Sequence, residues 1–366
     1  MSEGDPDTVP PLTACSTCGQ PVVATDQFCE ACGASLGAST SGAASWAASE
    51  PATGAPAATT PLPAPSLRRC RCGGAIDADG FCATCGLRAP SERDHFSEQP
   101  TPDLAMVCDK GVVHARNEDA AAVAAPGERR VLVVCDGVTT AVDSDVASLA
   151  AARVACDVLA SARAADSNAP AAVVEHWTRV LIEATEAAQQ AATSSAHPVG
   201  PGENPPSTTF VAAVIDGPVL VAAWEGDSRC YWLPDDGTAL QVSTDDSWAS
   251  TQIARGIPRD VAEADPRAHS ITRWLGVDSP GGPPSTTSVV LDPPGWLLVC
   301  SDGLWNYCSS ADDVRALVGD RVAAAADPLA VASSLCDWAN DMGGHDNITV
   351  ALARLGGPDP TPTRST

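Results

Sequence analysis

Val131-Leu132-Val133-Val134-Cys135-Asp136-Gly137 is the stretch on which the fold turns. Five apolar residues in succession suit a strand buried on both faces, and the run stops at a carboxylate followed by glycine. The pattern recurs where Trp296 to Ser301 leads into Asp302-Gly303, and where an apolar run ending at Trp224 continues as Glu225-Gly226-Asp227-Ser228-Arg229. Strand ends therefore present Asp136, Asp227 and Asp302. Gly343-Gly344-His345-Asp346-Asn347-Ile348-Thr349-Val350 reverses the order, its carboxylate entering a strand. Carboxylates gathered at the mouth of an apolar core point to hard divalent cations, which prefer oxygen ligands.

The chain has 366 residues, enough for one large domain with accessories. Its formal net charge of −25 argues against nucleic acid or an anionic membrane as partner. No apolar run reaches the roughly 18 to 20 residues of a membrane span. The nearest candidate, Phe210 to Trp224, is broken by Asp216-Gly217-Pro218, a hairpin signal. The start carries Glu3, Asp5 and Asp7 with no basic or apolar region, unlike a signal peptide, so a cytoplasmic location is expected.

Eight of the fifteen cysteines fall in two clusters. The first is Cys15-x2-Cys18 with Cys29-x2-Cys32, and the second Cys70-x-Cys72 with Cys82-x2-Cys85; a glycine follows each pair, Gly19, Gly33, Gly73 and Gly86. Each cluster places four thiolates around one structural zinc with no open position for water. So small a ribbon takes its folding free energy from the metal, about 10 kcal/mol or more. Residues 1 to 36 hold no basic side chain, so a protein is the expected partner of the ribbons. Scattered cysteines such as Cys135, Cys156 and Cys300 read as small buried hydrophobes in a reducing compartment.

The expected organisation is a zinc ribbon at 12–36, a disordered linker at 37–66, a second ribbon at 67–90, a linker at 91–103, a main domain at 104–355 and a disordered tail at 356–366. Residues 37–66 are Ala, Ser, Thr, Gly and Pro with little that packs. In the main domain, strands are expected near Leu104–Cys108, Ala120–Val123, Val131–Cys135, Thr208–Ile215, Val219–Glu225, Cys230–Leu233, Leu240–Val242, Ser288–Leu291, Trp296–Cys300 and Ile348–Arg354. Helices are expected at Asp145–Ala162, Ala171–Ala192, Ala311–Val318 and Leu329–Ala339, with short helical pieces in an inserted surface segment, Ser247–Gly276. Sequential hairpins with paired helices imply an α+β fold, two antiparallel sheets packed together and flanked by helices.

Taken in order, the charged fragments are Gly111-Val112-Val113-His114-Ala115-Arg116-Asn117-Glu118-Asp119, Asp136-Gly137, Thr208-Thr209, Gly226-Asp227-Ser228-Arg229, Ser301-Asp302-Gly303-Leu304-Trp305 and Asp346-Asn347. This ordered set resembles the metal-dependent serine/threonine protein phosphatases of type 2C, closest to bacterial members that reverse serine/threonine kinases, over about Ala105 to Arg354. The resemblance implies a four-layer α-β-β-α sandwich and two or three Mg²⁺ or Mn²⁺ ions, beside the two structural Zn²⁺. It implies that Asp136 bridges two ions and that the Gly137 carbonyl ligates one. It further implies that Asp302 and Asp346 hold the other, that Glu118 acts directly or through water, and that Asp227 shares a third, weaker ion with Asp302. Asn347 is expected to orient Asp346 or a metal-bound water, and Asp119 to brace its loop. Thr208 and Thr209 read as ordinary strand residues, and Arg229 as a structural ion-pair partner.

The activity implied is hydrolysis of phosphoserine or phosphothreonine in proteins by a metal-bound hydroxide. The partners implied are phosphorylated proteins and a serine/threonine kinase, with the chain a monomer. Two departures stand out. The family has arginine where His114 stands, a residue that grips the substrate phosphate bidentately; histidine is shorter and only partly protonated near neutral pH, with Arg116 placed to compensate. Val138-Thr139-Thr140 replaces Met-Gly-Gly after Asp136-Gly137, stiffening a loop beside the metals. The alternative is a weakly active phosphatase-like binding module recruited through its ribbons; a DNA-binding zinc protein fails on charge.

Overall fold

The run at Val131 becomes a strand, Arg130–Cys135, buried at every position after Arg130. The structure is a computed structural model that describes residues 73–77, 81–86, 89, 91–194, 200, 202–292 and 294–356, and the backbone alone of 12–14 and 21–23. In chain order the elements are β1 (Leu12–Ala14), β2 (Pro21–Val23), β3 (His95–Thr101), β4 (Leu104–Asp109), β5 (Ala120–Ala124), β6 (Arg130–Cys135), α1 (Ser144–Ser161), α2 (Pro170–Ser194), β7 (Ser207–Thr208), β8 (Phe210–Asp216), β9 (Val219–Glu225), β10 (Arg229–Pro234) and β11 (Leu240–Gln241). They continue as α3 (Trp248–Ala254), α4 (Arg259–Glu263), β12 (Leu275–Gly276), β13 (Ser285–Val290), β14 (Gly295–Cys300), α5 (Asp302–Trp305), α6 (Ala311–Ala324), α7 (Pro328–Asp341) and β15 (Ile348–Leu355).

Two antiparallel sheets carry the domain, one of six strands ordered β11-β10-β14-β15-β4-β3 and one of five ordered β13-β9-β8-β6-β5. Alternation along β8 shows why its sequence reads as continuously apolar. Phe210, Ala212 and Val214 face a core shared with α1 and α2, whereas Val211, Ala213 and Ile215 face the core between the sheets. Both faces are covered, so neither can be polar. A third core joins β14, β15 and β10 to α6 and α7 through Leu298, Val350, Tyr231, Val318 and Leu335. Burying each such side chain contributes about 1.5–3 kcal/mol.

Helix boundaries follow local chemistry. Asp327 caps α7 by accepting the Ala330 amide at 3.0 Å, with Pro328 opening the helix. Ser310 does the same for α6 through the Asp313 amide at 3.2 Å. On α1, Ala147, Ala151, Ala152 and Ala155 form the buried face, small enough for close approach to the sheet.

The stretch 91–103, expected as a linker, contains β3, which pairs with β4 at the edge of the six-stranded sheet. Its polar sequence reads as loop because an edge strand is covered mainly through Phe96, which packs on the inter-sheet core. The single strand expected over Thr208–Ile215 is interrupted at Thr209, whose amide donates to the Asp136 carbonyl at 2.7 Å instead of continuing a ladder. The short helix α5 has no counterpart among the expected elements. Of the ribbon cysteines, Cys15, Cys18, Cys29, Cys32, Cys70 and Cys72 lie outside the described residues, as do the linker 37–66 and residues 357–366. Cys82 is buried and Cys85 exposed.

Candidate metal centre

Asp136 follows directly on β6, and its backbone is clamped from the neighbouring strand. Thr209 Oγ1 accepts the Asp136 amide at 3.0 Å while the Thr208 hydroxyl donates to the Asp136 carbonyl at 2.8 Å. Gly137 forms an isolated bridge with Thr208. With both backbone groups held, the Asp136 backbone is fixed at the end of β6.

Asp302 opens α5, immediately after β14. The next residue must be glycine: a Cβ on Gly303 would lie 2.0 Å from the Asn347 carbonyl oxygen, so the two strand ends could not close on each other. Asp346 precedes β15, and the Asn347 amide donates to its Oδ1 at 2.7 Å. Gly111, at φ +74°, lies against the same turn, where a Cβ would meet the Asp346 carbonyl at 2.1 Å.

These carboxyls perturb one another. Burial and then the charges of Asp119, Asp302, Asp346 and Asp227 push the Asp136 carboxyl well above the usual carboxylate range. Asp346 is raised by burial, Asp302 and Asp119, and Asp227 by burial, Asp302 and Asp245. Asp119 rises to about 7 because of burial, despite hydroxyl donors from Ser301 and Thr349, each at 2.7 Å from its Oδ2. Asp302 Oδ1 and Asp119 Oδ1 are buried with no hydrogen-bond partner among the described residues. Like charges this crowded, with acceptor oxygens left over, need positive charge. The donor set is nearly all carboxylate oxygen and fits Mg²⁺ or Mn²⁺.

The loop leading into β5 supplies the other side. His114 is 4% exposed and stands between carboxylates, Nε2 3.3 Å from Asp346 Oδ1 and Nδ1 3.9 Å from Glu118 Oε2. Arg116 turns its guanidinium onto Glu118 Oε1 at 2.7 and 3.0 Å, and the Ser144 hydroxyl donates to that same oxygen. Arg116 is thus committed to Glu118, where the sequence suggested compensation for the missing phosphate-gripping arginine.

Asn347 spends its carboxamide on this loop: Oδ1 accepts the Glu118 amide at 2.7 Å, and Nδ2 donates to the Lys110 and Arg116 carbonyls at 2.7 and 3.1 Å. It touches Asp346 through its backbone amide, and its side chain is spent on the loop. Asp227 follows Gly226, and Arg229 makes the ion pair expected of it, bidentate to Asp245 with its guanidinium 3.5 Å over the Trp305 ring. Sequence reasoning undervalued Thr208 and Thr209, which clamp Asp136, and Asp119, which is buried among the charges of Asp136, Asp302 and Asp346. The adjacent Glu118-Asp119 pair was the available signal for the last of these.

A twisted pair of antiparallel sheets with helices, bearing acidic residues where the strands end, defines the class. The family profile described as Protein phosphatase 2C matches residues 112–338, and the chain belongs to that family. It is 31% identical over 248 residues to the serine/threonine phosphatase stp of Listeria innocua, covering 67% of this chain and 92% of that one. Its fold matches the PPM Ser-Thr phosphatase MsPP of Mycobacterium smegmatis in complex with cacodylate, at TM-score 0.54 and 27% identity over 69% of this chain and 98% of that one. It also matches the serine/threonine phosphatase PstP/Ppp of Mycobacterium tuberculosis, at TM-score 0.55 and 26% identity over 69% and 97%.

Proposed function

We propose that this chain is a divalent-cation-dependent protein phosphatase that hydrolyses phosphoserine and phosphothreonine in proteins. The observation that carries this is the gathering of Asp119, Asp136, Asp227 and Asp346 with Asp302, where burial and then the neighbouring carboxylates raise the first four carboxyls. Bound there, Mg²⁺ or Mn²⁺ ions supply Lewis-acid charge for phosphoryl oxygens and lower the pKa of a water at neutral pH. Asp136, Gly137, Asp302 and Asp346 are the proposed holders of two ions, with Glu118 behind them. The clamps on the Asp136 backbone and the Asn347 amide on Asp346 keep these carboxylates in place before any cation arrives. His114 and Arg116 hold Glu118 and Asp346 from the loop side.

Release of phosphate from a phosphothreonine peptide, titrated with Mn²⁺, tests the reading. Activity should need the cation, vanish in EDTA and fall a hundredfold or more in Asp136→Asn, as expected when a charge-stabilising group is lost. Full activity in EDTA would sink it. The layering helix, sheet, sheet, helix belongs to the same proposal and is supported by three separate apolar cores. So do the two cysteine clusters as zinc ribbons that recruit a protein partner, a serine/threonine kinase as the opposing enzyme, a monomeric state and a cytoplasmic location. No helix among the described residues is long and apolar enough to cross a membrane. A second reading, a weakly active phosphatase-like module, is favoured by one feature: the buried His114 where the resemblance calls for a phosphate-gripping arginine, with Arg116 already paired.

A further inference from the structure

The segment carrying α3 and α4 returns to the metal centre through one residue that the proposed ligand set does not use. We propose that His269 ligates a third cation together with Asp227 and Asp302, and that its imidazole makes this site prefer a first-row transition dication over Mg²⁺. This deepens the reading above and rests on its carboxylate centre.

Geometry places the ring there from both sides. The Thr272 amide donates to the Asp246 carbonyl at 2.7 Å, and the Asp246 amide to the Gly226 carbonyl at 2.8 Å, one residue before Asp227. The Trp248 amide holds the Ser270 carbonyl at 2.9 Å, and Ser247 bridges Ile271. The imidazole stacks on Trp305, centroids 5.8 Å apart at 29°, and Trp305 ends the same short helix that Asp302 begins. One ligand atom from each of Asp227, His269 and Asp302 lies within 4.8 Å of the others.

The local charge is only partly offset among the described residues. Asp227 is 5% exposed. The guanidinium next along the chain, Arg229, is occupied by Asp245 at 2.6 Å. Asp302 Oδ2 accepts Asn306 Nδ2 at 3.0 Å, which leaves the buried Oδ1 without a donor among the described residues. A cation between these groups would satisfy that oxygen and offset both carboxylates. Imidazole nitrogen suits transition dications, whereas Mg²⁺ takes carboxylates and waters. Because His269 belongs to the inserted segment, occupancy of this site would also tie α3 and α4 to the centre.

Mn²⁺ binding to the full chain, followed by electron paramagnetic resonance, is the test; Mn²⁺ prefers oxygen and nitrogen donors, so thiolates compete little. The weakest class of bound Mn²⁺ should show ¹⁴N coupling from an imidazole. His269→Ala should remove that coupling and weaken this class about tenfold or more, since even indirect partners of a ligand are worth 10- to 100-fold. His269→Asp should keep the ion and lose the coupling; Mg²⁺ affinity should change little in His269→Ala and rise in His269→Asp. Unchanged ¹⁴N coupling or unchanged Mn²⁺ affinity in His269→Ala would overturn the proposal. Assaying phosphopeptide hydrolysis by the unsubstituted chain beside this measurement separates the two readings. A chain that hydrolyses no phosphopeptide yet keeps the His269 signal removes the phosphatase reading alone. One that hydrolyses without a His269-dependent signal removes only the third ligand.

Discussion

Asn347 and Glu118 stand 229 residues apart in sequence and meet at 2.7 Å, the Glu118 amide donating to the Asn347 Oδ1. The same carboxamide ties down the carbonyls of Lys110 and Arg116, so one buried side chain sets the path of the loop that carries His114 and Glu118. Asn347→Ala should leave three backbone groups short of a partner, each worth about 1–3 kcal/mol when buried. The expected outcome is a clear fall in unfolding free energy together with weaker cation binding, read by denaturant titration with and without Mn²⁺. Unaltered cation affinity would show that the loop does not depend on Asn347.

Stability of the cation-free protein should fall as pH rises. The carboxyls of Asp136, Asp227, Asp346 and Asp119 are raised in the fold, so between the ordinary Asp range near 3.8 and about 7 the folded chain holds protons that the unfolded chain has released. Their stabilising protonation is complete below the unfolded value and is lost as pH climbs through the folded one. In EDTA, the melting temperature at pH 5.5 should exceed that at pH 7.5 by more than about 4 °C, given roughly 2–4 °C per kcal/mol for a domain of this size. Saturating Mn²⁺ should shrink the difference, because it stabilises the ionised form.

Arg229 and Asp245 are 2% and 5% exposed and joined at 2.6 Å. Arg229→Met strands a buried carboxylate and should cost about 3–5 kcal/mol. Asp245→Met added to it should restore most of that loss, since an apolar pair of similar volume replaces the ions. Calorimetry on the two variants checks the order; equal stability of both would deny that the pair is coupled.

His114→Arg should lower KM for a phosphopeptide about tenfold, because a charge-assisted hydrogen bond contributes about 1.5–3 kcal/mol. A fall in kcat with KM unchanged would assign the histidine a role of its own between Glu118 and Asp346.

Leu275 and Gly276 pair with Thr208 and Ser207, so the inserted segment is stitched to the strand that clamps Asp136. Gly276→Val should disturb that stitch, because even a Cβ there would sit 2.9 Å from the Ser207 side chain and 3.1 Å from the Pro206 carbonyl. Overpacking of this kind costs about 1–3 kcal/mol. Amide exchange should quicken at Thr208 and Thr209; unchanged exchange there would uncouple the segment from the centre.

Much of this protein is written locally. The apolar run at Val131, its counterpart at Trp296 and the alternation along Phe210 to Ile215 specify strands buried on two faces, and a carboxylate at the end of such a strand has few places to go. Asp136 and Asp302 were legible because each ends an apolar run and is followed by glycine, and Asp346 because it leads into one, two residues after a glycine pair. Strand β3 was not, since an edge strand needs little apolar sequence. Tertiary structure alone decided that Thr208 and Thr209 grip Asp136, that Asp119 is buried beside Ser301 and Thr349, that Arg116 turns to Glu118, and that His269 comes within reach of Asp227 and Asp302. Those relationships join residues tens to hundreds of positions apart, and hydrogen bonds and repulsion act through distance in space. Local pattern reports which face a residue takes; only the closed fold sets which residues share it.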